Sequence, residues 1–388
     1  MISEEMANIE GKRKLKILVL NWEDRKHPMA GGAEVHLHEV FGRMVDMGHE
    51  VTLLSCKVPG APKEEILDGI KVVRRGSRAF FNFVLPFVWI RQFYRDKYDI
   101  VCIDVNKIPF FSPLLVKKPA VVIAHHFFGK SIFIEASWPV ALYVYLTEKL
   151  FLKLYRKYTF VIGSPSTARE LGELGIDNDK INIVNYCVDH GLYRRTGVPK
   201  AEKPLIGYLG RLKQYKSVDH LIDALPKIRK VVKDARLVIV GDGDYLPELK
   251  AKVDQMSLNG IVEFAGFVSA EKKVEILQKC WVVVNPSAKE GWGLTVVESN
   301  ACGTPVVASD VPGLRDAVVD DITGLLFQYG NIDEIADKTI QVIEDDDLRN
   351  KLTREGLKWA ASFDWKIAAK KTLDILYKEI EKHRNKKI

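Results

Sequence analysis

Short apolar runs alternate along the whole chain with longer segments of helical period. In the first half, Lys16–Leu20, Val51–Ser55, Val72–Arg74, Asp99–Ile103, Ala120–Ile123, Phe160–Ile162 and Ile181–Val184 read as strands. In the second half, Leu205–Leu209, Leu237–Val240, Val262–Phe264, Val282–Val284, Val306–Ala308 and Leu325–Phe327 do. Runs such as ILVL, VVIA and LVIV are apolar without alternation, the pattern of parallel strands covered on both faces by helices. The pattern restarts beyond the polar stretch Arg194–Lys203, near Gly197, Pro199 and Pro204, so a linker is expected there. The expected fold is α/β: two doubly wound, Rossmann-like parallel-sheet domains, 1–196 and 197–369, with ligands in a cleft outside the C-terminal strand ends.

Chemistry concentrates in residues 290–310, EGWGLTVVESNACGTPVVASD. Glu290 and Glu298 stand on either side of a Gly-rich turn and the start of an apolar helix, which Gly303 and Pro305 stop. A helix N-terminus presents unpaired N–H groups and the positive end of the dipole, which favours an anion. Glu298 lies about one turn inside, and helical side chains tilt N-terminally, so it is expected to lean toward Glu290. Two acids beside a phosphate-friendly helix end suit a ligand that carries both hydroxyls and phosphates, such as a nucleotide sugar.

Other strand ends add candidates. Arg211 and Lys216 of GRLKQYK follow Leu205–Leu209, and an Arg fork with a Lys point charge makes a diphosphate clamp. Gly31 and Gly32 precede an amphipathic helix and would let a phosphate approach its N-terminus, although an ordinary Gly turn reads the same way. His125 and His126 follow the apolar strand of AVVIAHHFFGKS, with no Cys or carboxylate close in sequence to complete a metal set. In VGDGDYL, Gly241 and Gly243 hint at a dinucleotide fingerprint, and Asp242 with Asp244 at a metal pair. Leu246 replaces the third glycine, and a Gly-rich strand-to-helix turn explains both features.

The five cysteines are scattered without CxxC spacing, which argues against a disulfide framework or zinc site and for a reducing cytoplasm. The start, MISEEMANIEGKRKLK, reads as a polar lead-in and not as a signal peptide. The net charge of +7 is uneven: residues 51–157 carry 17 Lys/Arg against 8 Asp/Glu. Within that basic region, residues 80–95 and 137–158 mix aromatic and apolar residues with Arg and Lys. Neither has the roughly 20 apolar residues needed to span a bilayer, but both suit an anionic interface, with Phe80, Phe81 and Trp89 as apolar contributors. Core helices would show the same apolar pattern.

Assembled, these residues resemble glycosyltransferase family 4, the retaining nucleotide-sugar transferases of GT-B fold. The Glu290–Glu298 segment with its GTPVV carries most of the resemblance; Arg211 with Lys216 and the GGAE turn support it. The resemblance implies that Glu298 holds the ribose hydroxyls and Glu290 the donor sugar. Arg211 and Lys216 would neutralise the diphosphate, approached also by the backbone of Gly32, Gly293 and Leu294. His125 would lie beside the transferred sugar and Val268 beside the base. The resemblance further implies no cofactor and no metal, a UDP- or GDP-sugar donor, and a C-terminal helix near 370–388 packing back on the first domain. Two departures stand out: NYCVD (Asn185 to Asp189) replaces the common NGVD, and Trp292 stands where Phe is common.

The expected activity is therefore retaining, metal-independent transfer of a sugar to a lipid-linked or polysaccharide acceptor. The expected setting is cell-envelope glycan or glycolipid synthesis or protein glycosylation, in the cytoplasm at the inner face of the membrane. A GT-B sugar-nucleotide epimerase is an alternative; it needs paired acids in the first domain, where only Glu135 is a spare candidate. A non-catalytic basic binding protein is another, but no nucleic-acid motif is visible and no nucleic-acid partner is expected.

Overall fold

The computed structural model describes residues 13–93, 97–105, 110, 112–114, 116–125, 132–135 and 137–386. The chain forms two compact units, Met1–Tyr186 with Trp365–Ile388, and Cys187–Asp364.

The first unit is built on eight strands: β1 (Lys16–Leu20), β2 (Glu50–Ser55), β3 (Glu64–Leu67), β4 (Ile70–Arg74), β5 (Ile100–Val105), β6 (Ala120–Ala124), β7 (Thr159–Ile162) and β8 (Ile181–Ile183). Their order is β3-β4-β2-β1-β5-β6-β7-β8, and all neighbours are parallel except β3 with β4. Leu18, Leu20, Val101, Ile103 and Phe160 are buried in the core beneath its helices, as the unalternating apolar runs require. β1 lies between β2 and β5, so the winding reverses beside it and the loop after it sits at the switch point of the sheet.

The sequence reading did not foresee β3. Its residues alternate between exposed and half-buried, the mark of a thin edge strand. The two-residue turn Asp68–Gly69 joins it to β4 with both φ angles positive, 50° and 76°. This is the hairpin turn that an Asp-Gly pair favours.

The second unit holds β9 (Leu205–Leu209), β10 (Arg236–Val240), β11 (Val262–Gly266), β12 (Val282–Asn285), β13 (Val306–Ser309) and β14 (Leu325–Phe327). The order is β11-β10-β9-β12-β13-β14, parallel throughout. Here β9 lies between β10 and β12, which puts the loop after β9 at this sheet's switch point.

The polar stretch around Arg194–Lys203 is bound to the second unit rather than standing free. Lys200 Nζ donates to the Cys280 carbonyl at 2.6 Å and to Thr304 Oγ1 at 2.7 Å, and the Thr196 amide donates to Gln278 Oε1. The chain leaves the first unit at Tyr186 and returns at Trp365. The helix Trp365–Asn385 then completes the first unit by burying Leu373, Leu376 and Ile380. It is fastened by Tyr377 Oη donating to the Arg13 carbonyl at 2.8 Å and by Thr159 Oγ1 donating to Glu379 Oε2 at 2.7 Å.

The helical stretch Arg78–Phe93 has two apolar faces. Phe81, Leu85, Trp89 and Phe93 enter the core at a spacing of four. On the other side Phe80 (64%), Phe83 (57%), Phe87 (71%) and Ile90 (61%) are exposed. The expectation that Phe81 and Trp89 face an interface is thus corrected. They fill the core, and the exposed stripe runs through Phe83, Phe87 and Ile90 instead. The helix Trp138–Tyr155 also exposes Trp138, Tyr143 and Leu146. Among the described residues no helix is long and apolar enough to cross a membrane.

Candidate donor site

At the switch point of the second sheet, Lys216 Nζ donates to Glu290 Oε1 at 2.5 Å. Ser287 Oγ donates to the same oxygen at 3.0 Å and to Asn285 Oδ1 at 2.7 Å. Burial works against the Lys216 charge, but the Glu290 carboxylate and the Tyr215 hydroxyl outweigh it and raise the ammonium's pKa. Lys216 therefore stays charged. Ser217 follows with φ +50°, a left-handed turn that closes the loop before the helix Val218–Val231. Arg211 is exposed, and among the described residues its side chain makes no hydrogen bond or ion pair, which leaves the whole guanidinium fork for a ligand.

Backbone contact fixes the Arg211 loop. Gly210 N donates to the Val240 carbonyl at 3.0 Å, Leu212 N to the Asp242 carbonyl at 2.9 Å, and Tyr245 N to the Leu212 carbonyl at 3.0 Å. A Cβ at Gly241, where φ is +132°, would lie 1.9 Å from the Gly210 carbonyl oxygen. The glycines of VGDGD therefore serve loop-on-loop packing. Asp244 pairs with Lys213 at 2.5 Å, and Asp242 Oδ1 accepts from the Gly243 amide at 2.8 Å. Among the described residues no group of three His, Cys, Asp or Glu side chains is placed to hold a metal.

Gly293 caps the helix Leu294–Ala301 with φ +85°, a conformation that suits glycine. Trp292 is buried and packs on Phe363 at 5.2 Å between ring centroids. The two acids do not share a partner. Glu298, in the second turn, accepts from Lys273 Nζ at 2.6 Å, while Glu290 belongs to Lys216. Val268, half-buried, follows β11 beside an exposed Phe267. Sequence reasoning missed both ion pairs because their members lie 74 and 25 residues apart. Lys273 in particular looks like any solvated helix lysine.

In the first unit, Gly32 opens the helix Gly32–Asp46, and Glu34 Oε2 accepts from the Gly31 amide at 2.7 Å, the half of a capping box that a glycine N-cap allows. His125 is buried, its Nε2 2.6 Å from Asp104 Oδ1 and its Nδ1 on the Tyr186 hydroxyl. Both ring nitrogens thus have protein partners. Tyr186 is one of the two residues, with Cys187, by which NYCVD departs from NGVD, and its ring lies 4.5 Å from that of His36. Among the described residues His36 has no hydrogen-bond partner, and burial, reinforced by His125, holds its pKa well below the usual imidazole range. His126 and the Glu135 side chain lie outside the described residues.

A model described as glycosyl transferases group 1 matches residues 192–359, and one described as glycosyltransferase family 4 matches residues 30–192. The chain belongs to the family 4 glycosyltransferases. An uncharacterized glycosyltransferase of Methanocaldococcus jannaschii is 24% identical over 93% of this chain and 97% of its own length. Among solved structures, sucrose-phosphate synthase from Thermosynechococcus elongatus is similar with a TM-score of 0.78 at 20% identity, covering 95% of this chain and 99% of that one. Anabaena HepE in complex with UDP-glucose is similar with a TM-score of 0.73 at 20% identity, covering 94% and 100%. These likenesses give the fold as GT-B. In this glycosyltransferase the Arg211 loop, the Lys216–Glu290 pair and the Glu298 helix all belong to the second unit.

Proposed function

We propose that this glycosyltransferase moves a sugar from a UDP- or GDP-sugar to a lipid-linked or polysaccharide acceptor, with retention at the anomeric carbon. The observation that carries the reading is the unpaired Arg211 fork on the same switch-point loop as the charged Lys216–Glu290 pair. A leaving diphosphate gains negative charge as the glycosidic bond breaks, and preorganised cations stabilise that charge most in a site shielded from water. Arg211 supplies the fork and Lys216 a point charge. The helix N-terminus at Gly293 and Leu294 adds backbone N–H groups. Glu290, fixed by Lys216 and Ser287, orients the sugar; Glu298 grips the ribose; Val268 borders the base. The bound UDP-glucose in the HepE structure supports this class of donor.

Retention follows from attack on the donor's own face, where the departing phosphate oxygen takes the acceptor proton. Double displacement through Glu290 would need that carboxylate released from Lys216 and Ser287. With cationic side chains at the diphosphate, the reaction proceeds without a divalent metal. The basic first-unit surface with its exposed aromatic stripe fits a cytoplasmic enzyme held at the inner membrane face, where a lipid-linked acceptor is presented.

The test is a screen of UDP- and GDP-sugars with excess EDTA, with the product's anomeric configuration read by NMR. Transfer with retained configuration is expected. Inversion, or activity lost in EDTA and restored by magnesium or manganese, would refute the mechanism. Donor interconversion with no acceptor would assign an epimerase instead.

A further inference from the structure

The donor site contains a cation that the motif does not include. Lys273 stands on the helix Ala270–Lys279, directly beyond the Phe267–Val268 loop. Its Nζ donates to Glu298 Oε2 at 2.6 Å, and both side chains are mostly buried, 24% and 13% exposed. The same ammonium lies 5.2 Å from the centroid of the Tyr193 ring. That ring comes from the segment following Cys187, so three separate stretches of the second unit converge on one carboxylate. Burial first, and then the Glu298 charge, raise the pKa of the Tyr193 phenol, so the ring beside the ammonium stays uncharged.

A carboxylate that binds two vicinal hydroxyls must hold one rotamer. A free Glu on a helix surface does not hold one, because its side chain loses rotamer freedom on every binding event. Here a charge-assisted hydrogen bond pins Oε2, and the lysine is itself held over an aromatic face. We propose that Lys273, seated on Tyr193, is the positioning residue that presents Glu298 to the ribose hydroxyls of the donor. It sets the enzyme's discrimination between ribonucleotides and nucleotides lacking those hydroxyls. The inference rests on the reading of Glu298 as the ribose-binding acid.

The experiment is calorimetry of the full chain with UDP and 2′,3′-dideoxy-UDP, and in parallel with GDP and its dideoxy analogue. Wild-type protein is expected to favour the ribonucleotide, and Glu298→Ala to lose roughly tenfold or more of that preference, as loss of hydrogen bonds to a charged group implies. Lys273→Met should lose the preference to a similar degree, Lys273→Arg should restore much of it, and the double variant should lose no more than Glu298→Ala alone. Thermal denaturation of each variant separates this from unfolding, since lost stability lowers binding of both nucleotides alike. If Glu298→Ala abolishes the preference but Lys273→Met keeps it, or the two losses add, the positioning role is wrong. If Glu298→Ala keeps the preference, or neither UDP nor GDP binds, the assignment of Glu298 falls and takes this inference with it.

Discussion

Replacing Phe83 and Phe87 by Ser tests the membrane reading where the structure makes it quantitative. Both side chains lie on the exposed stripe, at 57% and 71% exposure, opposite the core face of Phe81, Leu85 and Trp89. Fully burying a Phe side chain contributes about 3 kcal/mol, so these partly exposed rings each offer about 2 kcal/mol to an apolar phase. Together that is about 3–4 kcal/mol, a factor of several hundred in partitioning. No acidic residue occurs between Arg75 and Phe93, but Arg75 pairs with Glu64 and Arg78 with Glu23, so of the three arginines in the stretch it is Arg91 that offers its charge to a surface. Basic groups near an anionic surface add about 1 kcal/mol each and weaken with salt. The assay is co-sedimentation with vesicles of phosphatidylcholine alone or with phosphatidylglycerol, at low and high salt. Wild type should bind the anionic vesicles, less so at high salt. The double variant should bind at least about 100-fold more weakly with an unchanged melting temperature. Equal binding to neutral and anionic vesicles, binding to neither, or full binding by the variant would refute the reasoning. A change of oligomeric state in the variant would show that a second copy covers the stripe.

Three further outcomes are expected. Arg211→Ala and Lys216→Ala should each lower turnover at least about 100-fold, the usual loss when a preorganised charge partner is removed, and near-normal turnover in both would refute the clamp. Burial lowers the Lys200 ammonium to about 8 from its ordinary 10.5. Between those values the unfolded chain binds more protons, so stability should rise with pH across that window, and Lys200→Met should flatten the rise in urea midpoints. Gly241→Ala should cost roughly 2–4 kcal/mol in denaturation and displace the Arg211 loop. At Gly260, where a Cβ meets nothing within 4 Å, the same change should cost only about 1 kcal/mol.

The strands of both sheets were legible because parallel strands buried on both faces are written as unbroken apolar runs, as in ILVL and LVIV. β3 was missed because EEIL is short, half-polar and on an edge; the Asp68–Gly69 dipeptide was the signal that would have found it. At the site, sequence order placed Arg211, Lys216, Glu290 and Glu298 on strand-end loops and a helix start but gave no pairing. Ion pairs depend on which strand ends lie side by side, and β9 and β12, whose following loops carry Lys216 and Glu290, are neighbours only in the folded sheet. The burial of His125 was illegible for the same reason, since Asp104 and Tyr186 reach it from β5 and from beyond β8. Which face of the Arg78–Phe93 stretch meets solvent could not be read either, because both faces are apolar.

The split composition of the first unit has a consequence for synthesis on the ribosome. Its last helix, Trp365–Asn385, emerges only after the entire second unit, Cys187–Asp364, has been made. Until then the surface that receives Leu373, Leu376 and Ile380 has nothing to cover it, and His36 lacks the Trp365 ring that lies 5.7 Å from its own. The second unit is continuous in sequence and can close as it emerges, whereas the N-terminal half must wait as an open, apolar-faced intermediate, the kind of nascent species that draws chaperones. A nonsense codon or protease cut just before Trp365 would therefore spare the unit beside it and cripple the one most distant in sequence. For expression in pieces, 187–364 is the natural fragment and 1–186 is not.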